Sequence, residues 1–174
     1  MKLLAFAASS SSKSINKQLA TYAASLVPNA TVEILDINDY EMPLFSQDKE
    51  EVLGQPDEAK AFYAKLGQAD AIIISFAEHN GSYTAAYKNL FDWTSRIDMK
   101  LFQNKPMVLL ATSPGPGGAK TVLTAAAGSA PYFSADVKGS LSIPSFFDNF
   151  DNEKQQISNP AILDELKTVL AQLK

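Results

Sequence analysis

Ala71-Ile72-Ile73-Ile74-Ser75-Phe76 runs into Ala77-Glu78-His79-Asn80-Gly81-Ser82, and then into a stretch where Tyr83, Ala86, Tyr87, Leu90, Trp93, Thr94 and Ile97 recur at helical spacing. The first six residues are almost wholly apolar and rich in β-branched side chains. That pattern predicts a strand covered on both faces. Asn80-Gly81 marks a turn, since both residues tolerate left-handed backbone. The apolar positions beyond it fall at i, i+3, i+4 and i+7, which predicts an amphipathic helix over residues 83–97. A doubly covered strand that feeds a helix is half of a parallel crossover unit.

The same alternation continues in both directions. Towards the N-terminus, residues 2–8 form an apolar run that ends in serines, and residues 15–27 follow as a helix stopped by Pro28 and Asn29. Residues 31–37 alternate as a second strand. A polar loop over 38–56 precedes a helix over 57–68. Towards the C-terminus, residues 106–112 form a fourth strand, 113–118 a glycine- and proline-rich turn, and 120–129 a helix. A short fifth strand is expected at 140–143, then an aromatic and acidic loop over 146–152. An amphipathic helix over 160–173 carries proline at its start, where the missing N–H costs nothing. Five strands alternating with helices predict an α/β, flavodoxin-like three-layer sandwich. Its five-stranded parallel sheet would take the order 2-1-3-4-5. No repeat or composition break divides the chain, so residues 1–174 are read as one domain.

Composition narrows the function. The 174 residues are 46% hydrophobic and 20% charged, with a net charge of −4, as in an ordinary globular domain. Cysteine is absent and His79 is the one histidine. That excludes disulfides, thiol catalysis and cysteine-type metal sites, and no metal is expected. Arg96 is the one arginine beside fourteen lysines, which with the acidic balance argues against nucleic acid as a partner. No apolar run reaches the roughly 20 residues of a membrane span. The apolar N-terminal core, residues 3–8, is shorter than a usual signal-peptide core of about 7–15 residues. It reads as a strand, and a cytoplasmic protein is expected.

In a sheet of this order, ligands bind beyond the carboxyl ends of the strands, at the switch point between the first and third. The loops after strands one, three and four therefore carry the functional expectation. The first, Ser9-Ser10-Ser11-Ser12-Lys13-Ser14-Ile15-Asn16, leads into a helix N-terminus rich in donors. Residues 1–32 contain three lysines and no acid, which suits a bound phosphate. Read alone, it is as easily a serine-rich helix cap. The second loop, around Asn80-Gly81, could point backbone groups at a flat heterocycle or merely connect two elements. The third, from Ser113 to Gly118, holds three glycines that allow close backbone approach or simply a turn. Neither a phosphate-binding G-x-x-x-x-G-K-[ST] loop nor a G-x-S-x-G nucleophile elbow is present.

These loops resemble those of the NADPH-dependent FMN reductase family, the flavodoxin-like quinone, chromate and azo-dye reductases. The family's first loop reads roughly G-S-x-R-x-x-S-x-N. Ser9, Ser14 and Asn16 agree with it, while Ala8 stands at its glycine and Ser11 at its arginine. The second reads roughly P-E-Y-N-G-S-x-P-G-x-L-K-N-x-x-D-W. Glu78, Asn80, Gly81, Ser82, Lys88, Asn89, Asp92 and Trp93 match, while Ala77 and Thr84 replace its two prolines, His79 its tyrosine, Ala85 its second glycine and Tyr87 its leucine. Met42-Pro43-Leu44-Phe45 and the turn from Ser113 to Gly118 are also similar. The likeness spans the chain to about residue 125.

The resemblance implies FMN as cofactor and NADPH or NADH as hydride donor. The phosphate would lie in the first loop among Ser9, Ser11, Lys13, Ser14, Ile15 and Asn16. The isoalloxazine would lie against Glu78, His79, Asn80, Gly81 and Ser82, mostly through their backbone, with Ser113 and Gly115 at its pyrimidine end. Hydride would pass to flavin N5 and then to a quinone, flavin or azo acceptor. No protein nucleophile is needed, although His79 could protonate a quinone. Trp93 and Tyr87 are read as core or subunit contact, and a homodimer or homotetramer is implied. The alternative is a flavodoxin-type FMN electron carrier with no NAD(P)H oxidation of its own.

Overall fold

The computed structural model describes residues 1–173. Its sheet holds β1 (Lys2–Ala8), β2 (Thr31–Leu35), β3 (Ala71–Phe76), β4 (Pro106–Thr112) and β5 (Asp136–Ile143). All neighbours are parallel, in the order β2-β1-β3-β4-β5. The alternation of five strands with helices predicted this order. The helices are α1 (Ile15–Ser25), α2 (Gln47–Leu53), α3 (Asp57–Gln68), α4 (Ala85–Ser95), α5 (Lys120–Ser129) and α6 (Pro160–Leu170). No helix among the described residues is long and apolar enough to cross a membrane.

The two faces of the sheet are packed differently. Along β1, Leu4, Phe6 and Ala8 point to one side, where they meet Phe62 and Leu66 of α3, Tyr87 and Leu90 of α4 and Val122 of α5. Leu3 and Ala5 point to the other, against Leu19, Ala23 and Ala24 of α1 and Leu166 and Leu170 of α6. The period of two along the strand thus serves both cores at once. The alanines of α1 let that helix sit close to the sheet, whereas the opposite face is filled by aromatic rings packed edge to face, among them Phe6 with Phe62 at 5.7 Å.

Several boundaries depart from expectation: α1 ends at Ser25 rather than 27, β2 at Leu35 rather than 37, α4 at Ser95 rather than 97 and α6 at Leu170 rather than 173. Ile37, expected to end the second strand, instead opens a 3₁₀ turn, Ile37–Tyr40, and the polar loop expected over 38–56 holds helix α2. None of the residues of α2 is buried and Val52 is 83% exposed, so it lacked the apolar stripe that reveals a helix. Helix α4 starts at Ala85 rather than 83, because Thr84 is its N-cap and Tyr83 belongs to a hairpin. Strand β5 begins at Asp136 instead of 140, and its first half alternates exposed polar with half-buried residues. The loop over 146–152 holds one helical turn, Phe146–Asn149, and the first strand of a small hairpin, Phe150–Asp151 with Gln156–Ile157. Phe146 and Phe150 stack at 4.6 Å within the α1–α6 core, while Phe147 is exposed.

Candidate functional site

Residue pairings place the carboxyl ends of β1, β3 and β4 side by side, with Ala8 opposite Phe76 and Phe76 opposite Ala111. The three loops singled out in the sequence therefore emerge at one edge. What holds them together is a set of buried polar side chains beneath the loops.

Asn16 is the centre of that set. It is 2% exposed. Its Oδ1 accepts from the Ser75 hydroxyl at 2.7 Å and from the Thr112 N–H at 3.1 Å, and its Nδ2 donates to the Thr112 carbonyl at 3.1 Å. One amide so joins the first turn of α1 to the ends of β3 and β4. The sequence reading assigned Asn16 to the phosphate. The structure seats it one layer deeper, with three of its hydrogen-bonding positions spent on the strands. Thr84 makes the matching tie on the other side. Its hydroxyl donates to the Ala8 carbonyl at 3.0 Å and accepts from the Tyr87 N–H at 3.3 Å.

The first loop is shaped by its own hydroxyls. Ser9 Oγ accepts from the Ser11 N–H at 3.3 Å, and Ser11 Oγ from the Lys13 N–H at 3.2 Å. Ser14 caps α1 by accepting from the Lys17 N–H at 3.2 Å. The N–H groups of Ser12, Ile15 and Asn16 donate to no protein group among the described residues. Helix α1 has no acidic residue in its first turn, and Ser10 to Lys13 are exposed. Free donors, the positive end of a helix and a nearby lysine are the donor set that a phosphate monoester takes. A flavin mononucleotide phosphate fits it. From the β2 side, Asn38 Nδ2 donates to the Ser10 carbonyl at 3.2 Å, and Lys17 pairs with Asp36 at 2.5 Å. The Lys17 ammonium, with help from the Asn38 N–H, holds the Asp36 carboxyl below the usual carboxylate value.

The second loop is a two-residue hairpin, Glu78–His79 paired with Ser82–Tyr83. Asn80 and Gly81 both have positive φ, 52° and 75°, as the tight turn requires. His79, Asn80, Gly81 and Ser82 are exposed. The Glu78 side chain leaves this tip and reaches α5, where its carboxylate accepts from the Val122 N–H at 2.8 Å. In the third loop the Ser113 hydroxyl donates to the Gly115 carbonyl at 3.2 Å. Two backbone bonds stitch that loop to the segment after β5, from Ser145 to Gly115 at 2.9 Å and from Phe146 to Ser113 at 3.0 Å.

The Asn89 and Trp93 positions of the second motif act away from the tip. Asn89 Oδ1 accepts from the Phe45 N–H at 2.8 Å, and its Nδ2 donates to the carbonyls of Met42 and Pro43 at 3.1 Å each. The Trp93 indole N–H donates to the Pro43 carbonyl at 2.7 Å, and its ring meets Phe45 edge to face at 5.0 Å. Together they clamp the 42–45 loop, which walls a cleft of about 350 Å³ beside Ser10. Trp93 is fully buried, in keeping with the core role expected of it. Burial raises the Tyr87 phenol, so its hydroxyl stays protonated across the ordinary pH range. Ser75 and Thr112 were not singled out in the sequence, and a hydroxyl at the end of an apolar strand was their one signal; Thr84 was noted only as a departure from the family's proline, and its place as the N-cap of α4 was not read.

The family model for NADPH-dependent FMN reductase matches residues 1–146. A 2-hydroxy-1,4-benzoquinone reductase from a Burkholderia species is 36% identical over 104 residues, which cover 59% of this chain and 55% of that protein. An NAD(P)H-dependent FMN reductase from Pseudomonas aeruginosa is 33% identical over 116 residues, covering 66% and 61%. The match thus spans only about half to three fifths of these curated relatives. Among solved structures, the flavoenzyme NAD(P)H:(acceptor) oxidoreductase FerB of Paracoccus denitrificans superposes with a TM-score of 0.77 at 18% identity, over 99% of this chain and 94% of that one. An FMN-dependent NADH-azoreductase of Bacillus anthracis, solved with FMN, gives 0.62 at 12% identity, over 99% of each chain. These two likenesses bear on the fold alone.

Proposed function

The chain belongs to the NADPH-dependent FMN reductase family, and we propose that it oxidises NADPH or NADH and reduces a small quinone, flavin or azo acceptor, with FMN as its bound cofactor. The observation that carries this reading is the first loop: a helix start with unspent N–H donors and no acid, beside Lys13. When bound there, FMN would supply the redox chemistry between the nicotinamide and the acceptor. The chain itself supplies grip and orientation. Ser9, Ser11 and Ser14 shape the phosphate loop through their hydroxyls. Lys13 adds charge as a mobile point, without the fork of an arginine. The exposed hairpin tip from His79 to Ser82 offers backbone groups to a flat ring, and Gly115 lets the third loop approach its other edge. Asn16 and Thr84 keep the three loops in register.

The test is anaerobic titration of the FMN-loaded protein with NADPH and, separately, NADH, followed by the visible absorbance of the flavin. Bleaching at one equivalent, reversed by a quinone, is expected. Flavin that binds but is bleached by neither nucleotide would turn the reading towards an electron carrier. Failure to bind FMN would end it.

A further inference from the structure

Helix α5 starts without the means to cap itself. Its N-cap is Ala119, in left-handed backbone at φ 57°, with no side-chain acceptor, and its first turn carries no acid. The missing acceptor comes from 44 residues upstream, where the Glu78 carboxylate takes the Val122 N–H at 2.8 Å. A carboxylate at that place also meets the positive end of the helix dipole. The other strand of the same hairpin reaches the far end of α5. There the Tyr83 hydroxyl lies 3.3 Å from Ser129 Oγ, within hydrogen-bonding distance. The hairpin therefore holds α5 at both ends, one contact from each of its strands. The third loop is continuous with the start of that helix and is fastened on its opposite side, where the Ser142 hydroxyl donates to the Gly118 carbonyl at 2.7 Å.

We propose that Glu78 is a positioning residue: its carboxylate sets the distance between the hairpin tip and the third loop by docking the hairpin on the N-terminus of α5. The inference rests on the FMN-reductase reading to the extent that these two loops hold the two edges of the flavin ring. It adds a role for the side chain to the expected, mostly backbone, contact of Glu78 with the cofactor, because the carboxylate is turned into the helix and leaves the backbone beside the tip. The mechanical statement holds for the protein without flavin. Removing the carboxylate frees the hairpin and the 113–122 segment to move independently, and binding must then restore the lost spacing.

Two variants separate this role from simple helix capping. Glu78→Ala loses the acceptor. Glu78→Gln keeps a carbonyl oxygen that accepts from the Val122 N–H and loses only the charge. Amide hydrogen exchange on the flavin-free protein is the first readout. Glu78→Ala should speed exchange in residues 78–83 and 113–122 together, and Glu78→Gln should restore most of the protection. Faster exchange confined to residues 119–123 overturns the proposal, because it means that the carboxylate caps the helix and nothing more. The second readout is FMN affinity by quenching of flavin fluorescence, with the absorption spectrum of the bound flavin. Glu78→Ala should raise the Kd about fivefold, the equivalent of one lost cap, and should shift the bound spectrum, with rescue by Glu78→Gln. A lowered melting temperature with wild-type Kd and spectrum overturns the proposal as well. Wild-type protein that fails to bind FMN sinks the reductase reading instead, and the exchange experiment still decides the role of Glu78.

Discussion

Helices α1 and α5 both begin at the carboxyl edge of the sheet, and both lack an acid in the first turn. Their N-termini are nonetheless unlike. α1 is capped by its own Ser14, a neutral hydroxyl that satisfies the Lys17 N–H and leaves the positive end of the helix without a counter-charge. α5 has its start already occupied by a carboxylate, that of Glu78. Of two helix starts that look alike in the sequence, one is open to an anionic ligand and the other is neutralised from within. An acid-free first turn is therefore a signal of a phosphate site only once distant carboxylates have been accounted for.

The largest expected effect is on the open side. Asn16→Ala removes the amide that joins α1 to Ser75 and Thr112, leaving three buried partners unsatisfied. A loss of about 3 kcal/mol in unfolding free energy is expected, read by urea denaturation. A loss below about 1 kcal/mol would mean that the first loop is held by its serines alone. Next comes the clamp on the 42–45 loop. Asn89→Ala frees three hydrogen bonds at a half-buried place and should cost about 2 kcal/mol. It should also expose Trp93, which can be followed as a red shift of its fluorescence.

A smaller effect sharpens the comparison itself. Ser14→Ala removes a local cap and should cost about 1 kcal/mol. Ser14→Asp keeps the cap but places a carboxylate where α5 has one, so it should retain stability and weaken FMN binding in a titration. Equal affinity in the two proteins would show that the open helix end does not matter to the ligand. The smallest effect concerns Lys17 and Asp36. Their side chains are 38% and 34% exposed, so solvent screening leaves the pair worth about 0.5 kcal/mol. The folded pKa of Asp36 lies below its ordinary value of 3.8. The contribution is then complete well above that value and fades as pH falls through the folded pKa. Lys17→Met should be slightly less stable than the parent at pH 7. In acid melts the two curves should converge below about pH 3.8, if Asp36 is the group responsible.

The extent to which these features could be read in the chain follows from how local their causes are. The three central strands β1, β3 and β4 were legible because burial on both faces writes a continuous apolar run, as in Ala71–Phe76, whereas the edge strands β2 and β5, largely exposed or half-buried, showed only as short alternating stretches. The three loops were legible through composition and strand order. Helix α2 was not, since it contributes no buried side chain and is held through Glu50 to Arg96 and through Gln55 to the Arg96 carbonyl. The depth of Asn16 and the direction of Glu78 were not legible either. Each is decided by partners on other strands and helices, and a motif shows that a residue is wanted without showing which way it points. Asn89 and Trp93 sat inside the most specific motif, yet what they hold, the 42–45 loop, lies more than forty positions earlier.

The three bonds of Asn16 also bear on the order in which the protein is made. Its partners on β4 lie 96 residues further along the chain. As synthesis proceeds from the N-terminus, the serine loop is the first segment of the site to appear; Asn38 and Ser75 can reach it earlier, but two of the three Asn16 bonds wait until Thr112 has been added and β4 has docked. The loop that is read first is locked last. Contacts with so long a closure form late on the path to the native state, so weakening them should act chiefly on how fast the finished protein comes apart and little on how fast it assembles. Stopped-flow refolding and unfolding of Asn16→Ala would show this as a steeper gain in the unfolding rate than loss in the folding rate.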